Sequence, residues 1–426
     1  MLIELEIETL TLGGRGLGRH QGKAVFVPQA LPGDRLRCRI VRSRSHFDEA
    51  ELVELLEPAP ERRPAPCPVF GACGGCQWQC LPYAVQAEWK ERLFHEQLTR
   101  AGVASAEALR PIVAAPEEWR YRNRVQFKCR QTQQGFVAGF YRNASHFVID
   151  APDCLLVAPA IQRSYDFWRE QLPMAPRPDA IPQVDFSAGD DGRVTVLLHV
   201  LPEAAGSMRE WLRQLVPAAG EAIAMQVGRK ETIEALAGTP GLALTIDDPP
   251  LDLRISAGGF AQVNSQQNRR LVDAVVAASS LTGRERVLDL FCGVGNFTLP
   301  LARRAGAVVG VEDYAPAIAD AVANAARNGI VNAVFHAEPA EGSAIRLGHF
   351  DRVVLDPPRT GAWPVVRDLL MLRPEQILYV SCDPATLARD LKPLVHNGYT
   401  VVSSQPFDLF PQTWHVESLT VLQRQS

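Results

Sequence analysis

No stretch of the 426 residues is apolar and uninterrupted for the length of a membrane crossing, so no membrane-spanning helix is expected. The first residues, Met1-Leu2-Ile3-Glu4-Leu5-Glu6, carry acids where a secretory signal needs a basic start and an apolar run, and the chain is expected to be cytoplasmic. An excess of positive charge is also missing. There are 44 Lys and Arg against 48 Asp and Glu, a net charge of -4, which argues against a protein that coats nucleic acid over its whole surface. Nine cysteines is an odd count, and in a reducing compartment it does not describe a disulfide scaffold. The thiols are then metal ligands, catalytic groups or core residues. What is present is a globular composition, 46% hydrophobic and 22% charged, in a chain long enough for two or three domains.

The most informative stretch is Val287-Leu288-Asp289-Leu290-Phe291-Cys292-Gly293-Val294-Gly295-Asn296-Phe297. It reads as a buried strand, a Gly-x-Gly turn and, from Thr298 to Arg304, the opening of a helix. A doubly wound α/β sheet holds a cofactor in this way, because the glycines let the backbone approach the ligand without a Cβ. The third glycine of the dinucleotide fingerprint is missing. Asp289-x-Phe291-x-Gly293-x-Gly295 instead resembles the S-adenosylmethionine loop of class I methyltransferases. An acid that holds ribose hydroxyls belongs at the end of the next strand, and Val308-Val309-Gly310-Val311-Glu312 supplies it about twenty residues on. The βα alternation continues through Ala333 to His336. It then runs through Arg352-Val353-Val354-Leu355 into Asp356-Pro357-Pro358-Arg359, and through Gln376 to Ser381 into Cys382-Asp383-Pro384. Ligands gather outside the carboxyl ends of such strands, so Asp289, Phe291, Glu312, Asp356 and Cys382 are expected on one rim. Upstream, Gln262-Val263-Asn264 precedes a helix expected over Leu271 to Ala278. Its polar side chains face the cofactor or the base, or cap the helix.

The N-terminal region, to about residue 58, alternates apolar and polar residues between glycine turns, as in a small β-barrel. From Arg15 to Arg44 it holds eight Lys and Arg against one acid, Asp34, which suits an RNA backbone or a solvated face balanced by the acids of Asp48 to Glu61. The arrangement resembles a TRAM domain. A proline-rich linker, Glu57 to Pro66, leads into Cys67-Pro-Val-Phe-Gly-Ala-Cys73-Gly-Gly-Cys76, three thiols that can wrap one metal centre. Cys80 and Cys154 are the candidates for a fourth ligand. The spacing is not that of a radical-type cluster loop, and the second Cys-x-x-Cys of a zinc ribbon is absent. A [4Fe–4S] cluster is favoured over zinc. Leu81 to Gly102 reads as an amphipathic helix with Val85, Trp89, Leu93 and Leu98 near one face. No Asp or Glu occurs from Trp119 to Ile149, and Trp119 to Lys128 reads as a strand with one basic face that meets RNA or forms structural ion pairs. Residues 130 to 255 look like a mixed α/β domain, with strands over Val194 to Val200 and Ile223 to Val227 and a helix near Met208 to Val216.

Cys382 and Asp356 suggest a chemistry. Carbon 5 of uracil is a poor nucleophile, and a thiolate that adds at carbon 6 turns the ring into an enolate that is reactive at carbon 5. Such an enzyme needs a low-pKa cysteine, a group for the uracil edge and a base. Cys382 suits the first role and Asp356 the second. His415 and Glu417, near the C-terminus, are both available for the third.

Cys67-x5-Cys73-Gly-Gly-Cys76, Gln262-Val-Asn264, the 289–297 loop, Asp356-Pro-Pro-Arg359, Ser381-Cys382-Asp383-Pro384 and His415-Val-Glu417 together resemble the RNA uracil-C5 methyltransferase family, in its order and over essentially the whole chain. TRAM domain plus cluster is similar to the branch that acts on 23S rRNA. The resemblance implies a TRAM barrel (1–58), a central mixed α/β domain with the cluster (59–255) and a class I, Rossmann-like methyltransferase domain (256–426). It implies Cys382 as nucleophile and Glu417 as base. Gln262, Phe291, Asn296, Glu312 and Asp356 would surround S-adenosylmethionine and the target base, and Cys67, Cys73, Cys76 and Cys154 would hold a [4Fe–4S] cluster. A monomer acting on RNA is expected, on 23S rRNA or alternatively on a tRNA T-loop uridine. A non-catalytic RNA-binding assembly factor is the other alternative. One departure stands out. The family's Asn or Asp after the third strand, toward the adenine, is replaced by His336-Ala-Glu338-Pro339, where Glu338 or a backbone amide would have to substitute.

Overall fold

The structure is a computed structural model and describes residues 1–143, 145–215, 221–228 and 233–425. Strands Leu2–Leu10, Arg15–His20, Lys23–Pro28, Arg35–Ser43 and Phe47–Glu57 close into a barrel. Alternate residues point inward, so Ile3, Leu5, Ile7, Val25, Val27 and Leu36 fill its centre. Of the two readings of the basic stretch, the outer face matches the one balanced by the acids of Asp48 to Glu61, with Glu4 and Glu8 adding to them. Arg37 lies 2.7 Å from Glu4 and 2.6 Å from Glu54, Arg39 lies 2.9 Å from Glu51, and Arg35 lies 2.8 Å from Glu57. Arg15, Arg19, Lys23 and Arg42 are also paired with acids. Among the described residues only Arg44 of the eight is outside an ion pair. The cause is register. The Arg-rich fourth strand lies between two Glu-rich strands, with Arg37 opposite Glu4 and Glu54, and Arg39 opposite Glu51. Such exposed pairs contribute little stability, but they cancel much of the field an RNA would meet. The fully buried Asp34 fastens the barrel to the linker, accepting from the backbone of Leu31 and Ala59 and from the Arg62 guanidinium.

A mixed seven-stranded sheet forms the centre of the chain, in the spatial order 233–237, 222–227, 194–200, 183–188, 124–132, 135–141 and 148–150. Phe127 stacks on Tyr165 with ring centroids 3.9 Å apart, in a core shared with Trp168 and Phe186. The strand expected from Trp119 starts only at Arg124. Before it, Arg120 has a left-handed backbone and pairs with Asp153, and the Arg122 Nε is buried, so the basic residues of this stretch do not share one exposed face. The helix expected near Met208 runs over Ala205–Gln214, and Val216 lies outside the described residues.

Seven strands form the C-terminal sheet: β1 (Arg286–Leu290), β2 (Ala307–Glu312), β3 (Ala333–Ala337), β4 (Arg352–Leu355), β5 (Gln376–Ser381), β6 (Tyr399–Phe407) and β7 (Glu417–Arg424). Their order is β3-β2-β1-β4-β5-β7-β6. The first five run parallel, and β7 is antiparallel to both its neighbours. The start of β7 therefore lies beside the end of β5, with Ser418 opposite Ser381. The order reverses at β1, the switch point where doubly wound sheets bind ligands. A hairpin, Gly241–Ile246 and Leu251–Ser256, packs its apolar face on Val294, Leu299, Ala317 and Ala325, behind the glycine loop.

The amphipathic helix spans Tyr83–Ala101 and ends at Gly102 in the left-handed conformation. Phe94 and Leu98 enter the core of the C-terminal sheet, while Val85, Trp89 and Leu93 pack with Trp78 and Trp414. Lys90, on the same helix, is fully buried, its Nζ 2.6 Å from Asp408 Oδ1 and 3.0 Å from the Phe410 carbonyl. Removing one partner of such a pair costs about 3–5 kcal/mol, because a buried charge is left behind. No helix among the described residues is long and apolar enough to cross a membrane.

Candidate active site

The rim at the carboxyl ends of β1, β2, β4 and β5 holds Phe291, Glu312, Asp356 and Cys382, and Glu417 joins it from the first position of β7. Phe291 has a left-handed backbone, φ 65°, as do Gly293 and Gly295, so the chain turns sharply straight off β1. For a phenylalanine that conformation is strained and needs support from its surroundings. Cys292 points the other way, under β2. A Cβ on Gly310 would come within 2.9 Å of its sulfur, so the glycine makes room for it. Burial pushes this thiol far up, and it does not meet the rim as a nucleophile.

Cys382 sits between β5 and the helix Pro384–His396. Asp383 caps that helix, accepting from the backbone of Ala385 and Thr386 at 3.0 and 2.9 Å. A helix N-terminus favours a thiolate. The remaining surroundings oppose one. Burial, then Glu417 and Asp356, push the thiol up to about 12, against the pull of Arg359. The low-pKa cysteine expected from the chemistry is therefore not what the protein alone presents, because the thiol is buried and two carboxyl groups face it. Those groups are themselves perturbed. Burial pushes Asp356 up to about 7. Glu417 is held well above the usual carboxylate range by burial and by Asp356, and its Oε1 is buried without a hydrogen-bond partner.

Both groups proposed as the base lie here. Burial and Arg359 push His415 down to about 3, and its ring nitrogens stand 3.4 and 3.3 Å from Arg359 Nη2. Of the two, Glu417 is the one whose charge bears on the thiol. Arg359, the cation of this rim, was visible in the Asp-Pro-Pro-Arg motif but had no role in the sequence reading.

Toward β1 and β2, Asp289 is fully buried and pushed up to about 7 by burial, with Asp356 and Glu312 adding to the shift. Thr298 donates to its Oδ2 at 2.5 Å, and its Oδ1 has no partner. Glu312 accepts from the Tyr314 backbone at 2.9 Å. Asn296 and Asn268 exchange amide hydrogen bonds of 2.9 and 3.0 Å, which ties the glycine loop to the helix Ser265–Ser279. That helix starts earlier than the Leu271 expected. Asn264 caps it, so of the Gln-Val-Asn motif the Asn has the capping role, while Gln262 is half-buried with its carbonyl accepting from Asn123. Near Pro339 the substitutes are committed elsewhere, the Glu338 carboxylate to Arg346 and its N–H to the Glu312 carbonyl.

This rim suits S-adenosylmethionine in one respect that the protein itself displays. The buried Asp289 has an unpartnered oxygen and no cation beside it, and the cofactor carries a sulfonium and an ammonium.

A second site lies in the central region. Cys67, Cys73, Cys76 and Cys154 line one cavity of about 110 Å³ beside Arg122. Cys80 and Cys129 are buried elsewhere, so Cys154 is the fourth thiol of the set. The Arg122 Nε is buried without a hydrogen-bond partner, and burial pushes Cys76 up to about 12. A buried cation facing four thiols fits an anionic, thiolate-bound centre. Among the described residues no three His, Cys, Asp or Glu side chains converge closely enough for a single ion. Tetrahedral thiolates at ~2.3 Å from zinc would have to do so.

Comparison with known proteins agrees with this architecture. Residues 230–425 match the model of the tRNA (Uracil-5-)-methyltransferase family, and residues 2–53 match the TRAM domain. The 23S rRNA (uracil(1939)-C(5))-methyltransferase RlmD of Alkalilimnicola ehrlichii is 37% identical, over 99% of this chain and 97% of that protein. An uncharacterized RNA methyltransferase of Halalkalibacterium halodurans is 34% identical, with the same coverage. The crystal structure of the Pyrococcus abyssi tRNA (uracil-54, C5)-methyltransferase with S-adenosyl-L-homocysteine has the same fold, with a TM-score of 0.76 at 24% identity over 99% of this chain and all of that one.

The raised thiol makes a prediction. In the free protein, alkylation of Cys382 by iodoacetamide, followed by mass spectrometry of its peptide, is slow at pH 7 and still rising above pH 9. Asp356→Asn or Glu417→Gln removes a negative neighbour, so the rise moves to lower pH. A Cys382 fully reactive at pH 7 in the free protein contradicts this electrostatic picture.

Proposed function

The chain belongs to the RNA uracil-C5 methyltransferase family and is an enzyme, and we propose that it methylates carbon 5 of a uridine in 23S rRNA with Cys382 as nucleophile and Glu417 as base. The observation that carries this reading is the meeting of β5 and the antiparallel β7, which sets the buried Glu417 beside Cys382, with Asp356 and Arg359 on the same rim. S-adenosylmethionine, when bound, supplies the electrophilic methyl group. Cys382 adds through sulfur to carbon 6 of the uracil, and the electron pair of the carbon 5–carbon 6 double bond moves toward the carbonyl as an enolate. Carbon 5 then takes the methyl group. Glu417 removes the carbon 5 proton, the double bond re-forms, and the carbon–sulfur bond breaks to release the thiolate. The raised Glu417 suits a group that must hold that proton. Asp356 holds the uracil edge, and Arg359 offsets the negative charge that gathers as the enolate forms. Gln262, Phe291, Asn296 and Glu312 form the cofactor side, Asn296 through the amide pair that sets the loop.

The 23S rRNA reading follows the relatives at 37% identity, all of whose compared length this chain shares to within a few residues in a hundred. A tRNA T-loop uridine is the second reading, since the archaeal enzyme of the same fold is named for a tRNA uracil. In either RNA the target base must leave its stack to reach Cys382. The division into a TRAM barrel (1–58), a cluster-bearing domain (59–255) and a methyltransferase domain (256–426) belongs to this proposal, as does action as a cytoplasmic monomer. Cys67, Cys73, Cys76 and Cys154 would hold a [4Fe–4S] cluster, which is structural here and takes no part in methyl transfer.

Two tests follow. Cys382→Ala abolishes 5-methyluridine formation, whereas Glu417→Gln still transfers the methyl group but accumulates RNA bound covalently to Cys382 on a denaturing gel. Persistent turnover by Cys382→Ala would remove the covalent scheme. For the cysteine site, anaerobically purified protein contains iron and inorganic sulfide together, and Cys73→Ala loses both. Zinc in place of iron would overturn the cluster assignment.

A further inference from the structure

The base proposed at Glu417 makes little of its own position. Its Oε1 has no hydrogen-bond partner, so the carboxylate stands where the first residue of β7 puts it. That residue emerges from the loop 408–416, and this loop is held from outside its own sheet. Its most constrained member is Gln412, fully buried and with a left-handed backbone, φ 70°. A residue with a Cβ keeps that conformation only where its surroundings over-determine it, and here they do. The Gln412 carbonyl accepts from the backbone N–H groups of Gln77 and Trp78, at 3.0 and 3.1 Å. Its own N–H donates to Gln86 Oε1 at 2.8 Å, and its Oε1 accepts from Gln86 Nε2 at 2.9 Å. Its Nε2 donates to Glu118 Oε2 at 3.0 Å. Gln86 in turn donates to the carbonyls of Trp78 and Leu81. Gln77 and Trp78 are the two residues that follow Cys76.

Position is passed on within the loop. The Thr413 hydroxyl donates to the Phe410 carbonyl at 2.8 Å and accepts from the His415 backbone at 3.3 Å, and Glu417 comes two residues later. We propose that Gln412 is a positioning residue for proton removal at Glu417, acting by joining the loop between β6 and β7 to the segment that follows Cys76. The inference rests on the reading of Glu417 as the base, but concerns a different residue and a single step. Gln412 is far from the reacting atoms in its contacts, and its loss leaves the cofactor loop and the nucleophile untouched. Addition of Cys382 and methyl transfer then continue, while elimination slows because the carboxylate no longer meets the carbon 5 proton. Seating the Cys76 loop and seating the base become one event.

The test compares Glu417→Gln, Gln412→Ala and Gln86→Ala in single-turnover reactions with S-adenosylmethionine and 23S rRNA fragments, reading the Cys382-linked RNA on denaturing gels together with total 5-methyluridine. Gln86→Ala removes the same link from the helix side and leaves the loop sequence intact, so it guards against a Gln412 variant that does not fold. Both variants are expected to form methylated adduct at the wild-type rate and to release it roughly ten- to a hundredfold more slowly, the size of effect a misplacement of about 1 Å produces. Wild-type release in both variants overturns the proposal while Glu417→Gln still traps adduct. So does an equal loss of adduct formation and release, which marks a general structural defect. Absence of adduct in Glu417→Gln itself removes the covalent reading and the proposal with it.

Discussion

Lys90 places a primary ammonium where no water reaches it, 2.6 Å from Asp408, and in doing so pins the segment that leads into β7. Burial lowers the pKa of this lysine, and the carboxylate at its side is what keeps the charge in place. The pair stands where three parts of the chain meet. Lys90 comes from the long central helix and Asp408 from the C-terminal sheet, and a few residues on Trp414 packs so closely on Gly14 of the barrel that any Cβ there would lie 2.9 Å from its ring. A buried ion pair is a poor source of net stability, because desolvation offsets most of the attraction. It is a strict source of geometry, since every misaligned arrangement leaves a bare charge. The loop 408–416 therefore has one seat, and the first residue of β7 inherits it.

That seat matters because the rim it completes is electrostatically unfinished. Asp289, Glu312, Asp356 and Glu417 are all raised, chiefly by burial, and Cys382 is raised with them. Arg359 is the nearby cation, and it also touches His415. A protein interior tolerates such a group of acids only when it is protonated or when a cationic ligand arrives. A positively charged methyl donor lowers the pKa of every group it approaches, the thiol included. After transfer the donor is a neutral thioether and the help disappears. Under the proposed scheme, the thiolate of Cys382 would be favoured while the methyl donor is bound and disfavoured in its absence.

The C-terminal sheet was legible because parallel strands buried on both faces read as apolar runs, and each run ended in a residue with chemistry: Glu312, Asp356 and Cys382. The barrel was legible in its alternation, and the acids of Asp48 to Glu61 that balance its basic residues were visible as well, but the choice between a basic and a balanced face was not. Eight Lys and Arg in thirty residues look basic until the pairing register sets Glu4, Glu51 and Glu54 opposite them, and register is a tertiary fact. The stretch Trp119 to Lys128 misled for a related reason. Its alternation suggested one strand face, but Arg120 turns left-handed and pairs with Asp153, and Arg122 lines the thiol cavity instead of an exposed face. Gln412 was beyond reach from the sequence. Nothing in Phe-Pro-Gln-Thr-Trp announces a left-handed residue, whose partners Gln86 and Glu118 lie some three hundred positions earlier. The central sheet is antiparallel except where 194–200 runs parallel to 222–227, and its residues carry no motif that would have revealed the order.

The most direct measurement is methyl transfer from labelled S-adenosylmethionine to unmodified 23S rRNA fragments and, separately, to unmodified tRNA, with the product nucleosides identified by mass spectrometry. 5-Methyluridine formed in the rRNA alone is the predicted result. The same nucleoside in tRNA alone would leave Cys382 and Glu417 in their roles and contradict the substrate. A folded, cofactor-binding protein that forms 5-methyluridine in neither would contradict the account at its centre.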